Sequence, residues 1–427
     1  MNIKQLFDSA AKIVTGEVLG RIATFALYAY VSRHYGVEVF GIVALGQVIA
    51  LYVMEGSDQG LKLIAVRVLA RNHALADYLV PVVGRMRAGF TAVAVLLGVG
   101  YGLFGPVPAA ARACVLAFVV AVIPNACALD WVAWGLGRFG LLAAWRSGVS
   151  ILYVLIAITG MHITGRPIAS IVTGNVTAAA LGALFLWLLW RLRWRHPANV
   201  VSRADLNAVR KELRIARVMT LGFSNLLNLI FLNADVLLLG AMSTTREVGR
   251  YSAACKPLYV IFTGFWVLTD VLYPHIAGVK DSARARKNLF VWLTLLAVAC
   301  SVVAGVLGFL APQILTVIYG SPMGADSLFR VLLIAMPLDF CFSLLWTVLV
   351  SRGYDRFVLY ALTTAAVSNV LLNWVFIPRF QAGAAAWATV ASYTVLFGMM
   401  LIFVLRNDVL SRSIAEETIP SPSEYAL

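Results

Sequence analysis

Lys256, Tyr259, Thr263, Trp266 and Asp270 recur at alternating three- and four-residue intervals, and at 100° per residue they fall within roughly an 80° sector of one helix. Asn225, Asn228 and Asp235 share a face of the preceding apolar segment in the same way. Nearer the start, Glu17 and Arg21 stand one turn apart, the favoured orientation for an intrahelical ion pair. These residue types bind rather than react. Arg21 and Lys256 can hold an anion, while Asn225, Asn228, Asn373 and Tyr259 can hydrogen-bond hydroxyls and Trp266 can cover a ring face. The carboxylates of Glu17, Asp58, Asp270 and Asp339 can take up a proton or a sodium ion. No catalytic set accompanies them: His34, His73, His162, His196 and His275 form no H-E-x-x-H or paired motif, and no Gly-rich phosphate loop opens a helix. No catalytic residue, metal site or cofactor is therefore assigned.

The elements that must position these groups are apolar. With 61% hydrophobic and 13% charged residues, the 427-residue chain lacks the polar surface of a soluble domain. Apolar windows of about 20 residues predict twelve membrane-spanning helices, near 12–34, 37–56, 80–103, 109–130, 140–160, 167–190, 217–240, 248–278, 288–311, 327–351, 356–377 and 381–405. A polar stripe facing hydrocarbon costs about 2.5–3.5 kcal/mol for each central charge. Both stripes are thus expected to face protein or a water-filled cavity. For Glu17 and Arg21 two readings stand: mutual neutralisation that eases insertion, or a cavity pair that exchanges partners with an anionic ligand.

The formal charge of +14 is distributed too unevenly to report nucleic-acid binding. Numbering the loops alternately places 25 cations on one side and 7 on the other (Arg33, Arg112, Arg166, Arg246, Arg250, Arg330 and Arg379), with Arg21 and Lys256 inside spans making up the 34. That bias predicts a multi-pass membrane protein with both termini in the cytoplasm. The basic segment after the second span, LKLIAVRVLAR, is expected to snorkel its cations to the inner interface. Cys114, Cys127, Cys255, Cys300 and Cys341 lie singly in apolar segments, without the spacing of a disulfide framework or a metal site. Lys4 and Lys12 precede an apolar run as in a signal peptide, but Glu17 and Arg21 interrupt it and no cleavage motif follows, so an uncleaved first span is expected.

Two six-helix halves, 1–190 and 217–405, flank a basic linker at 191–216, and 406–427 forms a cytoplasmic tail. Within the linker, Ser202 and Asp205 read as a capping box. Leu206, Val209, Leu213 and Ala216 make an apolar stripe beside Arg203, Arg210, Arg214 and Arg217, the pattern of a helix lying on anionic membrane lipid. The halves carry a trace of repetition: Gly41 corresponds to Gly249 at an offset of 208 residues. Because both halves begin and end on one side, the repeat is expected to be parallel, about an axis along the membrane normal. Asn369 and Asn373, one turn apart, either bond helices together or line the cavity.

Read together, Ala234-Asp235, the run Val248-Gly249-Arg250-Tyr251-Ser252-Ala253-Ala254, and Lys256 resemble the Wzx-type polysaccharide flippases of the multidrug/oligosaccharidyl-lipid/polysaccharide (MOP) superfamily. The resemblance extends through Ala311-Pro312, Tyr319-Gly320, Ile377-Pro378 and Gly383-Ala384-Ala385, and early on through Ser32-Arg33-His34-Tyr35-Gly36, Phe40-Gly41, Gly60-Leu61 and Arg67. It implies an all-α V-shaped bundle of two six-helix lobes that opens alternately to either side. The implied cargo is an oligosaccharide on undecaprenyl pyrophosphate, moved from the inner to the outer leaflet, with O-antigen or exopolysaccharide synthesis as the setting. It also implies that Arg21 and Lys256 stand where relatives place cavity cations, and that ion-gradient coupling, as in an antiporter, drives the step. A polysaccharide polymerase and chain-length machinery are the implied partners.

A small-molecule cation exporter of the same superfamily is the nearest alternative; it would favour an acidic cavity, whereas both signs occur here. A membrane-embedded glycan polymerase or ligase is the other. It would be expected to carry a long extracytoplasmic loop, and none is present in the sequence.

Overall fold

The computed structural model describes the backbone of residues 3–194, 203–277, 282–407 and 409, and side chains over 18–194, 206–262 (Ala208 excepted) and 289–407. Every described element is helical. In chain order these are α1 (Ile3–Asp58), α2 (Leu61–Arg71), α3 (Ala76–Phe104), α4 (Ala109–Val120), α5 (Val122–Ala126), α6 (Asp130–Gly135), α7 (Phe139–Thr164) and α8 (Pro167–Leu189). There follow α9 (Arg203–Glu212), α10 (Ile215–Met242), α11 (Thr245–Ala277), α12 (Ser282–Phe309), α13 (Ala311–Tyr319), α14 (Asp326–Leu333), α15 (Ala335–Ser351) and α16 (Asp355–Arg406).

Two of these helices are too long for one crossing and are broken inside. At 1.5 Å per residue, Tyr28 and Gln47 would lie about 28 Å apart on a straight helix. Instead, the Gln47 amide donates to the Tyr28 hydroxyl. The chain doubles back at Gly36, whose φ of 81° and ψ of 177° a side chain would resist. In α16, the rings of Phe357 and Phe403 stack at 3.8 Å although 46 residues separate them, and the reversal falls at Gln381, with φ 51°. Among the described residues nine helices are long and apolar enough to cross a membrane, Val18–Asp58 and Asp355–Arg406 being the two double-length ones. Outward faces are correspondingly apolar, with Leu96, Leu97, Phe104, Ile163 and Val317 all at least 70% exposed, which suits lipid rather than water.

The chain forms two compact units: Met1–Ser252 with Ile318–Met323, and Ala253–Val317 with Gly324–Leu427. In the first, α1, α7 and α8 pack through small residues. A Cβ on Gly16 would lie 2.7 Å from Ala143 Cα, and one on Gly174 would lie 3.0 Å from Tyr153 O. Backbones that close gain dispersion contacts without a hydrophobic driving force. In the second unit α15 and α16 pack together, with Ala361, Ala365, Ala385 and Leu345 fully buried.

The linker departs from expectation. Its helix ends at Glu212, and Val209 and Leu213 are buried in a protein core with Leu61, Ile64, Val68, Leu69 and Trp194. Helix α2 presents that apolar face, and Glu212 pairs with Arg217 at 2.7 Å. Val209 and Leu213 of the stripe read as lipid-facing are thus covered by protein, because α2 supplies an apolar partner, whereas Leu206 is half-buried and Ala216 is exposed. Ser202 and the side chain of Asp205 lie outside the described residues.

Candidate functional site

The first unit carries a polar wall made by α1 and α10. Measured along the helices from the turns at Gly36 and Met242, Arg21 lies about 23 Å away, Tyr52 about 24 Å, Asn228 about 21 Å and Asn225 about 25 Å, all within the span of a hydrocarbon layer about 30 Å thick. Arg21, Asn225 and Asn228 are exposed, and Tyr52 and Glu55 are half-buried. Asn225 hydrogen-bonds the Glu55 side chain, and the Tyr52 hydroxyl donates to Leu229 O at 3.4 Å. The other Glu55 oxygen, Oε1, is buried without a hydrogen-bond partner. Helical spacing alone gives no signal for Glu55; its pairing with Asn225 is visible only in three dimensions.

Toward the Met242 end the same α10 face closes. Asp235 is 3% exposed and accepts a 2.6 Å hydrogen bond from Tyr251. Beyond it, the N-terminal turn of the second half of α1 meets that of α11 backbone to backbone. A Cβ on Gly41 would lie 1.9 Å from Thr245 O, and one on Gly249 would lie 2.1 Å from Val37 O. Val37 and Thr245 are separated by 208 residues, as are Gly41 and Gly249. The contact is therefore reciprocal: residue i meets j, and the repeat equivalent of j meets the repeat equivalent of i. Such self-complementarity is the mark of a local two-fold axis. The faint repeat in the sequence corresponds to a physical seam.

Asp58 stands in a network rather than alone. Its carboxylate receives the Lys62 backbone N–H at the start of α2 and pairs with Arg87 at 3.5 Å. Arg87 also donates to Ala128 O at 3.2 Å, while Lys62 bonds Asp130 and lies 5.9 Å from the Trp134 ring, as does Arg146. Lys62 therefore does not snorkel; a buried carboxylate holds it. Two acids and two bases neutralise each other here, the condition under which burial of charge is tolerated.

In the second unit, Lys256 and Tyr259 are both half-buried on α11, and Lys256 lies about 16 Å from the Thr245 end. Asp339 has no exposed surface and shares its helix face with Ser343 and Thr347. Asn373 is likewise fully buried, and its amide donates to both Asn369 O and Asn369 Oδ1 at 3.0 Å. Asn369 is buried as well, and these two bonds run within α16. The side chains of Glu17, Trp266 and Asp270 lie outside the described residues. Among the described residues no group of three metal-ligating side chains occurs.

A family model described as "Polysaccharide biosynthesis protein" matches residues 6–280. No curated protein matches the chain. Among solved structures, the fold is similar to that of a lipid II flippase MurJ in an inward closed conformation (14% identity, TM-score 0.62, 95% of this chain and 90% of that chain). It is similar also to a multidrug resistance MATE family transporter of the MOP superfamily in an inward-facing conformation (13%, 0.63, 97% of each chain). A third likeness is to the Vibrio cholerae MATE transporter VcmN in its bent form (14%, 0.57, 96% and 98%). At these identities the likeness is one of fold.

Proposed function

Because the chain belongs to the polysaccharide biosynthesis protein family of the MOP superfamily, we propose that it flips undecaprenyl-pyrophosphate-linked oligosaccharide from the inner to the outer leaflet of a bacterial cytoplasmic membrane. The family and its structural neighbours are transporters and flippases rather than enzymes, and the chain is a multi-pass membrane protein. The observation that carries the reading is the polar wall: Arg21, Asn225 and Asn228 are exposed at a depth within the hydrocarbon layer, on the half away from the Gly36 and Met242 turns, while the same face is covered at Asp235 and at the Gly41–Gly249 seam. Exposed charge at that depth requires water, and a one-sided seal is what a carrier needs.

In this reading the lobes 1–190 and 217–405 alternate in access while the polyprenyl tail stays in lipid. Arg21 and Lys256 hold the pyrophosphate; charge-assisted hydrogen bonds net about 1.5–3 kcal/mol each, enough to load the headgroup without trapping it. Asn225, Asn228, Tyr259 and Trp266 meet the sugars. Glu55, hydrogen-bonded to Asn225, joins Glu17 and Asp270 as a carboxylate positioned to couple cargo to an ion gradient. The flipped unit then passes to a polymerase with its chain-length machinery.

The test is transbilayer movement of polyprenyl-pyrophosphate oligosaccharide in vesicles holding the purified protein. Wild type should flip it, and Arg21→Ala and Lys256→Ala should each lose at least tenfold. Wild-type vesicles that leave this lipid in place while exporting small organic cations would instead establish the drug-exporter alternative.

A further inference from the structure

Seven cations occupy the sparsely charged side of the membrane, where the positive-inside bias gives them no reason to be. Four are committed in the fold. Arg33 donates to Ile318 O at 2.9 Å, Arg112 to Val107 O at 3.3 Å and Arg330 to Gly308 O at 3.0 Å, and Arg250 pairs with Glu247 at 2.7 Å. Arg166, Arg246 and Arg379 differ: all three are exposed, and among the described residues none of them forms an ion pair.

Of these three, Arg166 lines a groove of about 420 Å³ between α7 and α8. The polar end is organised around its backbone. Ser170 Oγ donates to Arg166 O at 2.8 Å, Arg166 N donates to Thr164 Oγ1 at 3.2 Å, and the two hydroxyls meet at 3.2 Å. Further into the span the lining is Ile156 and Thr173, with Ala169 beside Ser170. Ile156 lies eight residues from the end of α7, about 12 Å, and Thr173 six residues inside α8, about 9 Å. The groove thus begins at the level of lipid headgroups and ends within one leaflet, whose hydrocarbon half is about 15 Å deep. A soluble anion would need the cation but not the apolar floor; an acyl chain would need the floor but not the cation.

We infer that this groove is a phospholipid site of the extracytoplasmic leaflet, with the phosphate diester of an anionic phospholipid on Arg166 and the glycerol and upper acyl chain between α7 and α8. It lies away from the polar wall of α1 and α10 and requires only that the chain span the membrane. Its fate is therefore independent of the cargo assigned above.

Native mass spectrometry of the full-length protein in mild detergent, titrated with phosphatidylglycerol, tests it. Arg166→Gln should weaken the tightest binding event about tenfold or more, the worth of one charge-assisted hydrogen bond. Thr173→Phe, which fills the apolar floor and leaves the cation in place, should weaken it similarly. Both positions are exposed, so both variants should melt with wild type. Millimolar inorganic phosphate should not compete. Competition by inorganic phosphate with Thr173→Phe unchanged would reduce the groove to a simple anion site. Preferential retention of polyprenyl phosphate would replace the occupant, and equal phosphatidylglycerol binding by wild type and both variants would overturn the inference.

Discussion

Gly41→Ala is the sharpest probe of the seam between the second half of α1 and the start of α11. The added Cβ would sit 1.9 Å from Thr245 O and 2.7 Å from Gly249 N, both backbone atoms that cannot rotate away. Bringing the first contact out to 3.0 Å requires the helices to part by about 1.1 Å. Overpacking of that kind costs about 1–3 kcal/mol. If the seam closes the outer end of the polar wall, the cost falls on the closed state alone, and the open population rises by about 5- to 150-fold. The assay is labelling of Asn228→Cys by a membrane-impermeant maleimide added outside, in a background lacking the exposed Cys127. The labelling rate should rise by that factor. Gly249→Ala should do the same, because its Cβ would meet Val37 O at 2.1 Å. The double variant should exceed either single one by less than their sum, since the first substitution already parts the helices. A Gly41→Ala protein that folds with unchanged labelling and unchanged melting would refute the backbone contact and the gating argument built on it.

Other substitutions test the remaining contacts by thermal melting in detergent. Arg87→Ala should destabilise by about 3–5 kcal/mol because it strands Asp58 in a buried site, and adding Asp58→Asn should restore much of the loss. Leu213→Ala should cost about 2–5 kcal/mol if α9 packs on α2, whereas a helix lying on lipid would melt unchanged and lose only affinity for anionic vesicles. Tyr251→Phe, which removes the donor to Asp235, should cost about 1–3 kcal/mol, with no cost expected if water replaces the hydroxyl freely.

Much of the architecture was readable along the chain because the relevant physics is local. Apolar windows located spans to within a few residues: 167–190 against Pro167–Leu189, and 217–240 against Ile215–Met242. The break at Gly36 fell in the predicted gap between 34 and 37, where only glycine takes a φ of 81° without strain. The polar face of Asn225, Asn228 and Asp235 followed from helical spacing. That spacing does not say what faces the stripe, so the sequence left open that Asp235 is capped by Tyr251 while Asn225 and Asn228 stay exposed.

The sequence by itself determined that this chain lives in a membrane, where its helices lie and which of their faces are polar, because the cost of burying polar groups in hydrocarbon acts on each segment separately. Tertiary structure alone decided the partners: Arg87 for Asp58, Asn225 for Glu55, α2 rather than lipid for Val209 and Leu213, and Val37 and Thr245 for the two repeat glycines. Partnership depends on which helices approach within a few ångströms, and periodicity along one helix holds no information about its neighbour.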